Sequence, residues 1–384
     1  MDVSSQINKK PKERKSGIEL LKIVGILLVV ISHVVQTLEY NNVELIGFND
    51  YYINLNAPTS NLSVLILAIL RHSGHLGNSI FFLSSAWFLL ESKKPNFKKI
   101  LRMICDVWVV SIIILIPCLI ISEGNIQLPF ILRSFFPTIC FNNWYVTTYI
   151  IFCFIYPFFN TIINKINPKI HLLFIGGLFL LFYGLNTIYK LTDFSNVVEP
   201  FVNLSIWFFL YFVVAFLKKY AIKFCSNVKL NLIICVTAII GLISAVILLN
   251  YYGLKYPELE IELLKYNSKT SIFLLLIAFS ALNVCNSMNF KSSFVNYFSS
   301  MSLLIYIIHE NLVFKRYYRP AIWQWIYVTF GYEYIIEWAI VFIFGLFAAS
   351  TLISYLYKVL IQKPIYYLSD KIYEKTISVL NFNK

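Results

Sequence analysis

The chain has 384 residues, of which 59% are hydrophobic and only 13% charged, and its mean hydropathy is +0.71. A soluble domain is typically about a quarter charged, so this composition excludes an ordinary globular enzyme. The net charge of +13 does not point to nucleic acid, because the positives fall in short segments between apolar runs, where lysine and arginine set membrane orientation.

The apolar runs are long and continuous, whereas membrane β-barrel strands alternate over about ten residues. The expected fold class is all-α: a polytopic membrane helical bundle of about ten transmembrane helices, with a lipid bilayer as its solvent. The predicted spans in chain order are Ile18–Leu38, Leu76–Glu91, Met103–Ser122, Tyr145–Ile163, Ile170–Ile188, Phe201–Leu217, Leu230–Asn250, Thr270–Asn286, Asn296–Phe314 and Tyr334–Tyr357. The first run is too long for a signal-peptide core and has no small-residue cleavage site, so it is expected to remain as an anchor. The second is short, and the apolar stretch Ser63–Leu70 before it fits an interfacial or re-entrant segment.

Orientation follows from counting Lys and Arg by side. With the amino terminus inside, 22 lie in cytoplasmic segments and 9 in outer ones, which puts both termini in the cytoplasm. The exception is the last outer loop, with Lys315, Arg316 and Arg319, which topology leaves unexplained and a ligand would explain. The expected organisation is a basic cytoplasmic tail over 1–17, a ten-helix transmembrane domain over 18–357 and a cytoplasmic tail over 358–384.

Polar residues inside the spans carry the functional signal. Glu19, Lys22 and His33 lie in the first. At 100° per residue, Lys22 and His33 share a face to within roughly 20° and stand about 16 Å apart along the axis. His33 serves either as a histidine hydrogen-bonded to a neighbouring helix or as a general base, since a neutral imidazole can take a hydroxyl proton near neutral pH. Lys22 either snorkels to the headgroups or binds a phosphate of a cytosolic donor, with Glu19 one turn earlier as its partner.

Lys98, Lys99 and Arg102 enter the third span. They act as a topology signal or as an anion site for a nucleotide or coenzyme phosphate, and Asp106 is placed to orient Arg102. Ser302, Tyr306 and His309 share one face of the ninth span, and Glu310 and Asn311 follow directly. His309 is expected at a depth matching His33, the two facing a common cavity. Trp144 and Tyr145 open the fourth span as part of an aromatic belt or as a sugar-stacking platform. Arg71, His72, His75 and Asn78 cluster at the start of the second.

The seven cysteines are scattered without a CxxC or Cys/His metal spacing, so no metal ligand set is expected. There is no Walker A, HExxH or GxSxG sequence.

These residues together resemble the acyltransferase-3 family of bacterial integral-membrane O-acyltransferases. Glu19-Leu-Leu-Lys22, ten residues, then His33 looks like the family's opening acid, arginine and histidine motif, with lysine in place of arginine. Phe81-Phe82-Leu83-Ser84-Ser85-Ala86 is similar to its Phe-Phe-x-x-Ser-Gly element. Lys98, Lys99 and Arg102 match its basic third-span entry, and Trp144-Tyr145 with Pro157 its fourth span. Tyr306-Ile307-Ile308-His309 resembles its late histidine element, and the following Glu310-Asn311 is similar to a polysaccharide-associated branch.

The resemblance implies acyl transfer, with acetyl the expected group, from cytosolic acyl-CoA to a hydroxyl of an exopolysaccharide, capsule or other cell-envelope glycan, polymeric or lipid-linked. No cofactor is bound permanently; acetyl-CoA or another acyl-CoA is the donor substrate. The expected catalytic residues are His33, His309 and Glu19. Donor binding falls to Lys22, Lys98, Lys99 and Arg102, and acceptor binding to Trp144, Tyr145, Tyr306, Asn311 and Arg71. The expected location is the bacterial cytoplasmic membrane. The rival readings are a transporter or flippase for a lipid-linked sugar, and a non-catalytic scaffold that tolerates loss of His33.

Overall fold

The first apolar run folds as a single helix, α1 (Ser16–Gln36), prolonged by a 3₁₀ turn over Thr37–Glu39. Around it the computed structural model, which describes residues 14–39, 53–121, 126–185, 199–263 and 269–382, is helical, with no strand among the described residues. In order follow α2 (Leu62–Arg71), α3 (Ser73–Leu89), α4 (Phe97–Ile121), α5 (Leu128–Phe135), α6 (Trp144–Lys165), α7 (Pro168–Phe179) and α8 (Glu199–Tyr220). Then come α9 (Ile222–Ser226), α10 (Val228–Lys255), α11 (Ile272–Ser287), α12 (Ser293–Ser299), α13 (Ser302–His309), α14 (Arg319–Phe330), α15 (Ile335–Leu360) and α16 (Gln362–Phe382).

Five of the described helices are long and apolar enough to cross a membrane: Ser16–Glu39, Phe97–Ile120, Trp144–Lys165, Val228–Lys255 and Ile335–Leu360. Two shorter apolar helices, Pro168–Gly184 and Ile272–Ser287, accompany them. Most of the basic tail, and the outer acids Glu44, Asp50, Glu123 and Asp193, lie outside the described residues.

Side-chain caps set several helix starts. Asn61, Asn167, Asn227 and Ser292 each accept a hydrogen bond from a backbone N–H two or three residues on, opening α2, α7, α10 and α12. Pro168 at the first position of α7 reinforces the second of these. Gly331, at φ +67°, is the left-handed residue that ends α14.

The ninth predicted span is not one helix. It breaks between α12 and α13 and again after His309, and the chain then runs through a π-helical turn over Phe314–Tyr318 into α14. Glu310 and Asn311 cause the second break. Both side chains are buried and committed to partners away from their own helix axis.

Helix α1 is the axis of the bundle. It lies against α3 along its length and also touches α2, α11, α12, α13 and α15. Its contact with α3 is backbone to backbone. A Cβ built on Gly77 would meet Val29 Cγ2 at 2.8 Å and the Gly25 carbonyl oxygen closer still. A Cβ on Gly74 would strike Ser32 at 2.7 Å. Small residues let membrane helices approach this closely without a hydrophobic driving force. Ser73 Oγ donates to Leu28 O at 2.8 Å across the same seam, and Ser32 Oγ donates to Arg71 O at the end of α2.

Replacing Gly77 by Ala should therefore lower the melting temperature of the detergent-solubilised protein. Overpacking of this kind typically costs about 1–3 kcal/mol. Gly345→Ala, where a Cβ meets nothing within 4 Å, should be neutral or slightly stabilising. Equal melting curves for the two variants would show that the α1–α3 seam is not rigid.

Candidate active site

At one end of α1 the chain assembles a buried polar cluster. His33 comes from α1, His309 from the last turn of α13, Glu310 from the break after it, Lys315 from the π-helical turn and Arg319 from the start of α14. His33 Nδ1 lies 3.1 Å from His309 Nε2 and 2.9 Å from Glu310 Oε2. Lys315 Nζ reaches Glu310 Oε1 at 2.8 Å, and Arg319 Nη1 reaches Oε2 at 3.3 Å.

The proton positions follow from these partners. His309 Nδ1 sits 2.6 Å from the Ile305 carbonyl oxygen, so that nitrogen carries the hydrogen and donates it. Its Nε2 is then an acceptor. His33 Nδ1 thus faces two acceptors, His309 Nε2 and the Glu310 carboxylate, and must hold a proton itself. The lone pair of His33 is left on Nε2. A carboxylate that fixes one imidazole nitrogen as donor and leaves the other basic is the arrangement that a general base requires.

The ligand atoms of His33, His309 and Glu310 lie within 4.8 Å of one another, a spacing that also suits a metal ion. Lys315 and Arg319 already bind the same carboxylate, and a divalent cation would be held against both. The donor set fits a hydrogen-bonded base better than a metal.

A file of aromatic rings leads to this cluster. Trp144 meets Tyr145 at 5.7 Å between centroids, Tyr145 meets Tyr306 at 5.7 Å, Tyr306 meets His309 at 5.9 Å and His309 meets His33 at 5.3 Å. The buried hydroxyls of Tyr145 and Ser302 have no hydrogen-bond partner among the described residues. Trp144 also lines a small pocket with His75, Asn78, Trp207 and Lys269.

The acyltransferase-3 family model, described as an acyltransferase domain, matches residues 15–359. The chain belongs to the acyltransferase-3 family. It is an acyltransferase and, with its long apolar helices, a membrane one. No curated protein and no solved structure matches it.

The acyltransferase carries its predicted donor-binding cations at the opposite end of α1. Lys22 pairs with Glu19 Oε2 at 3.3 Å and lies 5.6 Å over the Phe88 ring. Ser299 donates to Glu19 at 2.5 Å. Lys99 and Arg14 lie within electrostatic range of Lys22, so this basic group and the third-span entry share one field. Glu19 stands about 21 Å from His33 by helix rise and is not part of the histidine cluster.

Arg102 corrects an expectation. Its partner is Asp370 of α16, bound at 2.9 and 2.6 Å, and not Asp106. Lys98 joins Asp370 at 3.0 Å and Glu374 at 3.7 Å. Asp106 instead accepts from Tyr357, Gln362 and Tyr366 at 2.9, 3.2 and 2.7 Å, pinning α16 to α4. Burial holds the Tyr366 phenol above its ordinary value. Lys99 is exposed.

Two residues expected to bind acceptor have local partners. Asn311 spans Ser111 and the Val313 backbone, and Arg71 binds Glu39 and His72. The histidines meet in direct contact, where the sequence suggested two groups across a shared cavity.

Sequence reasoning noted Glu310, Lys315 and Arg319 without giving them a role. The signal available was a run of cations in an outer loop directly after an intramembrane acid. Asp370 and Glu374 had no signal at all, since their partners are more than 260 residues away.

The hydrogen bonds from Arg102 hold the Asp370 carboxyl below its ordinary 3.8. A group whose pKa falls on folding stabilises the folded form above its unfolded pKa, and that contribution is lost as pH falls through the lower folded value. Helix α16 should stay docked at neutral pH and loosen only below about pH 4. Asp370→Asn should release it at neutral pH, read as new proteolytic cleavage after residue 360. Full protection of α16 in that variant would mean that the Asp106 contacts alone hold it.

Proposed function

We propose that this acyltransferase moves an acyl group, acetyl by expectation, from cytosolic acyl-CoA to a hydroxyl of an exopolysaccharide, capsule or other cell-envelope glycan across the bacterial cytoplasmic membrane. The observation that carries the reading is the His33–Glu310 contact, with the imidazole proton fixed on Nδ1 and the lone pair on Nε2. The ten-span bundle and cytoplasmic termini are part of the proposal. Nine of the ten predicted apolar runs each correspond mainly to one helix, and the charge count favours that orientation.

His33 Nε2 takes the proton of the acceptor hydroxyl. The hydroxyl oxygen attacks the thioester carbonyl, the carbon–sulfur bond breaks, and the thiolate leaves with the proton that His33 received. Glu310 stabilises the imidazolium formed between these steps, as a carboxylate does behind a catalytic histidine. His309 holds the first imidazole from the other side. Glu19 acts at the donor end by positioning Lys22.

The donor phosphates sit among Lys22, Lys98, Lys99 and Arg102. The separation of about 16 Å between Lys22 and His33 matches the reach of a pantetheine arm, so the thioester meets His33 while its phosphates stay at the basic end. The acceptor approaches along Trp144, Tyr145 and Tyr306, where sugar rings stack on aromatic faces, with Asn311 and Arg71 framing that side.

The decisive test is mass spectrometry of envelope glycans with and without the gene, read for a shift of one acyl group. His33→Ala should lower transfer by about 10²–10⁴-fold in a well-expressed protein. Glu310→Gln, which turns an acceptor into a possible donor towards Nδ1, should cut kcat more than it raises KM and should change the pH profile. Normal acylation in either variant would remove that residue from the mechanism. At the donor end, Lys22→Glu should raise KM for acyl-CoA while Lys22→Arg preserves it; an unchanged KM in Lys22→Glu would shift the donor phosphates to Lys98, Lys99 and Arg102.

A further inference from the structure

Arg319 is fully buried, at 0% exposure, yet makes a single hydrogen bond, from Nη1 to Glu310 Oε2. Its Nε and Nη2 are buried and have no hydrogen-bond partner among the described residues. A buried charged donor left unpaired is costly. The two atoms are also not arbitrary. Nε–H and Nη2–H lie on the same edge of the guanidinium and form the side-on fork that matches the two oxygens of a carboxylate or phosphate.

Glu310 cannot satisfy that fork. Its Oε1 is held by Lys315 and its Oε2 by both His33 and Arg319 Nη1. The guanidinium is tied to the base through one oxygen, since Glu310 Oε2 meets both Arg319 Nη1 and His33 Nδ1; the fork opens on the other edge of the same guanidinium. Trp323, one turn further along α14, donates to Val34 O at 2.9 Å and fixes Arg319 beside that stretch of α1.

We infer that the Arg319 fork binds an acidic group of the acceptor, a uronic-type carboxylate or a phosphodiester on the glycan, and holds it beside the hydroxyl to be acylated. Lys315, whose side chain is about a third exposed, guides the anion in from the rim. The two parallel N–H groups match the two oxygens of one carboxylate or phosphate, which favours a ground-state acidic ligand. This inference rests on the glycan-acceptor reading above and narrows it to acidic glycans.

The test has a binding arm and a transfer arm. Protein purified in non-ionic detergent is titrated with methyl glucuronide, glycerol phosphate and methyl glucoside, and tryptophan fluorescence is followed. The charged probes should bind about tenfold or more tightly than the neutral one, and Arg319→Lys should abolish that preference, since a lysine keeps the charge but not the fork. Which of the two charged probes binds better tells carboxylate from phosphate. Equal binding of charged and neutral probes, or a preference that survives in folded Arg319→Lys, overturns the inference. Should that variant not fold, Trp323→Phe locates the response: a fluorescence change that persists without Trp323 places the anion elsewhere and overturns it too.

In the transfer arm, the ratio of kcat/KM for acidic over neutral glycan acceptors should fall in Arg319→Lys by the same factor. Acid-selective binding with no acyl transfer would leave the anion site standing and sink the glycan acyltransferase reading. Transfer without acid selectivity would do the reverse.

Discussion

The geometry at the His33 end hangs on one carboxylate. Glu310 is 2% exposed and binds a histidine from α1, a lysine from the π-helical turn and an arginine from α14. Three segments of chain converge on two oxygen atoms. A charge in that position is tolerated because three donors, two of them cationic, meet its two oxygens. Removing any one donor would leave the others holding an incompletely paired buried group, so the cluster stands or falls as a unit. The same carboxylate oxygen that anchors α14 also decides which nitrogen of His33 is basic.

The glycine seam between α1 and α3 sets the frame for this. Backbone contact at Gly25 and Gly77 leaves no slack for one helix to slide on the other. His33 therefore has a fixed height relative to Phe81 and Phe82 on α3, which join Tyr145 and Trp207 in the aromatic core. The ring file runs over α6, α13 and α1, on helices and not on loops.

Much of this was legible from the chain alone. The first helix, its polar stripe and the late histidine could be read because helical periodicity and intramembrane charge are local signals. Matched depth brought His33 and His309 to one level, but not their direct contact, which the chain alone left as a shared cavity. What could not be read was which acid meets which cation. Arg102 had Asp106 one turn away, yet it binds Asp370, because Asp106 is taken by two tyrosines and a glutamine from the end of α15 and from α16. Local spacing offers a partner, and tertiary competition decides whether that partner is free. The last outer loop shows the converse. Lys315 and Arg319 looked like a breach of the positive-inside pattern, and their charges answer a carboxylate.

The break after His309 has an electrostatic consequence of its own. Helix α13 ends there, so Glu310 stands just beyond the negative end of a helix dipole, where an anion is disfavoured and a cation is favoured by about 0.3–1 kcal/mol. Part of what Lys315 and Arg319 do is to offset that local field. An eight-residue helix that stops at His309 thus gathers an acid and two cations at one point of the bundle, where an uninterrupted apolar span would carry no net field.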